Sequence, residues 1–238
     1  MVITQEEKRM YDVMKAIYES GIPISFKGSM VLKICLVEAG YLEETRHTVD
    51  IDGNWNSNSM PTANQMVDSL QKAMDKSELN LIVKLNRMYS EKQSAGFVLI
   101  DSNTGEKRFT MDIDVNRSNL NTKLYEIEGI KFIGNSPVQI LADKLVVLST
   151  DIIFRRVKDF VDIYYLSYIF DFNKEEILET IDASKRILGD FNAYLNKKDE
   201  LKNAYDKFRF NGLNHKPTFD EVYKRVKNYI NEILLIDR

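Results

Sequence analysis

Apolar residues at Met10, Val13, Met14, Ile17 and Tyr18 recur at three- and four-residue intervals, which predicts a helix over 5–19 followed by Gly21. Ile22-Pro23-Ile24-Ser25-Phe26 reads as a short strand, Gly28-Ser29 as a turn, and 30–39 as a helix ended by Gly40. Polar and apolar positions then alternate through His47-Thr48-Val49-Asp50-Ile51-Asp52, predicting a strand over 47–52. With a period of two, Val49 and Ile51 turn to the core, while Asp50 and Asp52 share the other face about 7 Å apart. The Asn- and Ser-rich stretch 53–62 reads as a loop, because those side chains compete with regular structure. Pro61 suits the first turn of a helix over 61–76. Strands are predicted over 80–89, 95–101 and 107–115, with a hairpin turn at Asp101–Gly105. Two shorter ones, 123–127 and 130–134, flank Glu128-Gly129.

After Ser136-Pro137 the period lengthens. Helices are predicted over 137–149, 151–171, 174–188, 197–209 and 218–236. The fold class expected is α+β, a small mixed β-sheet with flanking helices and then a helical part. The predicted domains are 1–135 and 136–238. Hydrophobic residues make up 44% of 238, enough for substantial cores, and the formal charge of −3 excludes a bulk polycation that coats nucleic acid. Cys35 is the one cysteine, so no internal disulfide can form and a reducing, cytoplasmic setting is expected. No leader-like start and no apolar run of about 20 residues is found, so no membrane span is expected. His47 and His215 are too far apart in sequence to suggest a histidine-based zinc site.

The chemistry-bearing pieces are few. Gly28-Ser29 leads into a helix whose free N–H groups suit a phosphate, although Gly-Ser is also an ordinary turn. Asp50 and Asp52 repel each other unless a cation or donor lies between them, and carboxylates of this kind hold Mg2+ beside substrate phosphates. An exposed acidic strand end is the bland alternative. Arg46 is a candidate phosphate clamp or a surface ion-pair partner. Asp112 and Asp114 repeat the spacing in a later strand, and either is a candidate third metal carboxylate or a strand cap. Lys144 lies among Leu141, Leu145 and Leu148. Asp159 and Asp162, three apart, are neighbours on one helix surface, and taken alone a plain Lys–Asp bridge between helices accounts for them better than a catalytic role.

In this order, Gly28-Ser29, Arg46-x-Thr48-x-Asp50-Ile51-Asp52, Lys144 and Lys158-Asp159-Phe160-Val161-Asp162-Ile163-Tyr164 resemble the AbiEii/AbiGii-type nucleotidyltransferase toxins of abortive-infection and toxin–antitoxin systems. The resemblance implies a sheet bearing the carboxylates and a helical C-terminal part completing the active site. It also implies transfer of a nucleotide monophosphate from an NTP to an acceptor with loss of pyrophosphate. Gly28, Ser29, Arg46, Thr48 and Lys144 would bind nucleotide, Asp50 and Asp52 would ligate Mg2+ (or Mn2+), and Asp159 would complete the catalytic set beside Asp162. Many relatives carry a Gly-Gly pair ahead of the Ser/Thr, where this chain has Lys27 and Gly28.

The acceptor the resemblance implies is RNA, tRNA first, with a cognate antitoxin as partner. Lys197, Lys198, Lys202, Lys207, Arg209, Lys216, Lys224, Arg225 and Lys227 supply local positive charge. Tyr205, Phe208, Phe210 and Tyr223 lie among them, as base-stacking groups or as core. Trp55 is a candidate substrate contact or part of a loop. The same carboxylates would serve transfer to a small-molecule or protein hydroxyl. A non-catalytic binding protein of this fold is the remaining alternative.

Overall fold

The computed structural model describes residues 3–41, 47–57, 59–89, 94–115, 119–209 and 216–234. The chain divides into two compact units. One comprises Val2–Ile34 and Thr48–Asn135, the other Cys35–His47 and Ser136–Arg238.

The first unit is built on a seven-stranded mixed sheet, larger than the small sheet expected. Its strands are β1 (Ile24–Lys27), β2 (Asp50–Trp55), β3 (Leu81–Met88), β4 (Ser94–Asp101), β5 (Lys107–Asp114), β6 (Thr122–Ile127) and β7 (Ile130–Asn135). They lie in the order β3-β4-β5-β2-β1-β7-β6. Strand β2 pairs antiparallel with β1 and parallel with β5, which puts Asp52 between Lys27 and Asp112. One face is apolar. Ile51, Met111, Ile113, Phe26 and Phe132 are at most 1% exposed. Tyr11 and Tyr125 both stack on the Phe132 ring, and Phe26 meets it edge-on.

Helix α1 (Gln5–Glu19) starts on a complete capping box, with the Thr4 hydroxyl accepting from the Glu7 amide and the Glu7 carboxylate accepting from the Thr4 amide. The same buried carboxylate receives both 2.8 and 2.9 Å bonds from Lys33 of helix α2 (Gly28–Glu38). Helix α3 (Ala63–Lys76) has its own capping box between Thr62 and Gln65, so Pro61 lies one residue outside the helix rather than in its first turn.

Two hairpins close as their sequences require. Gly105 donates to the Asp101 carbonyl while the Asp101 carboxylate accepts from Asn103 and Thr104. Glu128 and Gly129 both adopt positive φ between β6 and β7, the conformation a tight two-residue hairpin turn needs. Strand β3 forms one edge of the sheet, and its register with β4 slips between Leu85 and Arg87.

The second unit is helical. Its elements are α4 (Pro137–Leu148), a 3-10 turn (Ile153–Arg155), α5 (Val157–Ile169), α6 (Lys174–Ala183), α7 (Asn192–Asn196), α8 (Lys198–Lys207) and α9 (Phe219–Leu234). Its core is aromatic. Phe160 touches Tyr194, Tyr205 and Phe219, and Tyr194 stacks on Tyr223. Burial pushes the Tyr194 and Tyr205 hydroxyls well above the usual phenol range. They donate instead to the carbonyls of Tyr223 and Pro217.

Several sequence expectations need correction. Strand β2 begins at Asp50 and runs on through Trp55, so Val49 precedes it and is 67% exposed rather than core-facing. Trp55 is buried at the end of β2 and is not part of a loop. The helix expected over 151–171 is broken at Arg156, the one expected over 174–188 ends at Ala183, and α7 forms where no helix was expected. Among the described residues, no helix is long and apolar enough to cross a membrane.

Candidate active site

Alternation along β2 and β5, and the register between them, gather the candidate groups on one sheet face. Ser25 and Lys27 of β1, Asp50, Asp52 and Asn54 of β2, and Asp112 and Asp114 of β5 all point away from the apolar face. Asp50, Asp52, Asp112 and Asp114 are intermediate in exposure; buried residues flank the last three on both sides, and Ile51 follows Asp50. Asp52 lies directly beside Asp112 in register.

Each carboxylate on this face has an identifiable neighbour. The Thr48 hydroxyl, itself buried, donates to the Asp50 carboxylate at 2.8 Å. Thr48 was expected on the nucleotide, whereas the fold puts it on Asp50, where it orients the carboxylate. Arg87 reaches Asp112 at 3.0 Å, and Lys27 forms an ion pair with Asp114. Arg87 passes over Gly96, where a Cβ would fall 2.9 Å from its side chain and 2.7 Å from the Asp112 carboxylate. It also covers the Tyr89 ring at 4.5 Å, and desolvation followed by the charge of Asp112 raises the Tyr89 hydroxyl.

Gly28 opens helix α2 rather than forming a free turn. Its φ is +73°, and a Cβ there would fall 2.6 Å from Oδ2 of Asp52. A helix N-terminus thus abuts a carboxylate of the acidic pair, with Ser29 in its first turn. Gly28→Ala is expected to cost about 1–2 kcal/mol of stability through the positive φ alone. Its effect on transfer activity is expected to be larger, on the order of a hundredfold, because Asp52 must move. Chemical denaturation set beside a labelling assay separates the two effects.

Among the described residues, no three His, Cys, Asp or Glu side chains form a metal-holding group. Asp50 and Asp52, alternate residues on one face of β2, are the pair that could hold a cation. That suffices for Mg2+, which binds through one or two carboxylates and completes its shell with substrate phosphates and water. Arg46 lies outside the described residues.

The other sequence-predicted cluster belongs to the helical unit. Lys144 of α4, 8% exposed, is 2.6 Å from Asp162 and 3.3 Å from Asp159 on α5. Asp162 is 1% exposed, so the geometry realises the inter-helix bridge. Asp162→Asn is expected to cost about 1–3 kcal/mol in a thermal or urea melt. Asp159 stays within reach of Lys144 and limits the loss.

Lys27, Asn54 and Arg87 were not singled out as site residues from the sequence. The only signal for Lys27 was its place immediately before Gly28. Arg87 and Asn54 join the face through strand pairing alone.

Among curated proteins no match is found. The fold is similar to that of MenT4, a nucleotidyltransferase toxin from Mycobacterium tuberculosis H37Rv, with a TM-score of 0.56 at 12% identity over 93% of this chain and 81% of that one. A second solved structure, an antigenic nucleotidyltransferase-like protein from Paracoccidioides brasiliensis, aligns with a TM-score of 0.48 at 12% identity, over 81% of this chain and 97% of that one. The family described as "Nucleotidyl transferase AbiEii toxin, Type IV TA system" matches residues 13–225, nearly the whole chain. With its mixed sheet and acidic strand pair, the chain belongs to the AbiEii nucleotidyltransferase toxin family and is a nucleotidyltransferase.

Proposed function

We propose that this protein transfers a nucleoside monophosphate from an NTP to a hydroxyl of RNA, tRNA first, as the toxin of a pair with a cognate antitoxin. The observation that carries this reading is the contact of the α2 N-terminus at Gly28 with Asp52, next to Asp50 on the same strand. A phosphate-holding helix end therefore borders a pair of hard-oxygen cation ligands.

Asp50 and Asp52 would hold Mg2+ or Mn2+, which when bound neutralises charge on the phosphate oxygens. Thr48 fixes the Asp50 carboxylate in one orientation. Gly28 and Ser29 receive the triphosphate through the helix N-terminus. The acceptor oxygen bonds to the α-phosphorus as the α–β bridging bond breaks. Pyrophosphate leaves, and the hydroxyl proton passes to a carboxylate of the acidic face.

The RNA assignment is supported by the toxin character of the family. Tyr205 and Tyr223 lend it nothing, since both are core residues, and Phe210 lies outside the described residues. Incubation with each labelled NTP, Mg2+ and total cellular RNA tests the proposal. Label in RNA supports it. Label in protein or in a small molecule would move the acceptor, and no metal-dependent transfer to any acceptor would overturn the reading.

A further inference from the structure

The Lys27–Asp114 pair runs diagonally across the sheet. Lys27 stands opposite Asp52, and Asp114 stands opposite Asn54. Asn54, the strand neighbour of Asp114, is 1% exposed, and among the described residues neither its side-chain nitrogen nor its side-chain oxygen has a hydrogen-bond partner. Ser25, opposite Asn54 on β1, is equally buried, and among the described residues its hydroxyl has no partner either. Buried amides are ordinarily hydrogen-bonded, so an unsatisfied one beside a carboxylate calls for an explanation.

We propose that Lys27 exchanges partners: it pairs with Asp114 in the resting protein and with the triphosphate in the nucleotide-bound one, while Asn54 takes over Asp114. This rests on the reading that Asp50 and Asp52 mark the nucleotide site. Lys27 immediately precedes Gly28, so its flexible side chain springs from the start of the helix end that receives phosphate. A lysine suits the exchange because its compact charge rides on a flexible stem and is not bound to a fork geometry. Neighbouring strands lie about 4.8 Å apart, which brings the Asn54 amide within reach of the Asp114 carboxylate once the lysine departs. Asp114 is then a positioning residue that stores the cation, and it contributes nothing to metal ligation.

The exchange predicts effects of opposite sign. Calorimetric titration of the full chain with Mg2+ and tripolyphosphate, and with each Mg-NTP, reads them directly. Lys27→Met is expected to weaken binding about tenfold, while Lys27→Arg retains most of it. Asp114→Asn is expected to tighten binding several-fold, because Lys27 no longer leaves a charged partner. Weaker binding by Asp114→Asn, as loss of a metal ligand would give, overturns the inference, and so does unchanged binding by Lys27→Met. If Asp114→Asn fails to fold, the contrast between the two Lys27 variants decides alone. If the wild type binds neither tripolyphosphate nor any NTP, the nucleotide-site reading itself falls.

Discussion

Asp50→Ala is expected to abolish metal-dependent nucleotide transfer, lowering the rate by about a thousandfold or more. The size follows from the several kcal/mol of charge stabilisation that a cation at the phosphates supplies, each 1.4 kcal/mol being about tenfold. In the proposed site Asp50 would be one of two donors, since Asp112 and Asp114 are engaged by Arg87 and Lys27. No third carboxylate is gathered among the described residues to compensate for its loss. The chain itself should survive the change, because Asp50 is half-buried at the start of a strand and, among the described residues, its carboxylate accepts one bond, from Thr48. The check is single-turnover transfer of labelled NTP, with a melting curve to show the variant folded. Full activity in a folded Asp50→Ala protein would remove Asp50 from the site. Thr48→Val, which keeps the carboxylate and releases only its orientation, should show a much smaller loss.

Lys33→Met is expected to destabilise the sheet unit by about 3–5 kcal/mol, the cost of stranding a buried charge. Glu7 is fully buried and Lys33 is 4% exposed, so solvent screens neither. This is a large fraction of the roughly 5–15 kcal/mol by which a domain is ordinarily stable. The double variant Glu7→Gln/Lys33→Met separates the ion pair from the helix cap. Glutamine at the third helical position still completes the capping box with Thr4, and no charge is left without its partner. The double variant should therefore be markedly more stable than Lys33→Met alone. Urea denaturation of the three proteins tests this, and a double variant no better than the single would assign the loss to packing of the lysine stem. The link to function is direct, since Lys33 anchors the helix whose first residue meets Asp52.

Period carried much of the fold. The strict alternation of Phe109, Met111 and Ile113 with Thr110, Asp112 and Asp114 marks β5 in the sequence, and the stripe Met10-Val13-Met14-Ile17 marks α1. Period misled where apolar residues are not buried. Ile152 and Phe154 continue a helical stripe, yet each is 48% exposed in a segment that breaks near Arg156. Helix α7 follows Phe191, a bulky residue with φ of 59°, which no local pattern anticipates. The acidic pair was legible because both its members lie on one strand. Its counter-charges were not. Lys27–Asp114 and Arg87–Asp112 join residues 87 and 25 positions apart, through a register that only the assembled sheet specifies. The helical bridge from Lys144 to Asp162 could be read as a bridge from spacing alone, but the depth of its burial could not.

The register slip in β3 sets a parity on which the acidic face depends. Leu85 pairs with Phe97 on the apolar side, and because one residue is passed over, Arg87 meets Gly96 on the acidic side. An unbroken ladder would set Asn86 opposite Gly96 and turn Arg87 toward Ala95, which is buried with the core. One extra residue at the outer margin of the sheet therefore determines whether Asp112, two strands inward, carries a neutralising partner or a bare charge. Insertions and deletions between Leu85 and Arg87 thus act as electrical changes at a distance, reversing with each residue added or removed.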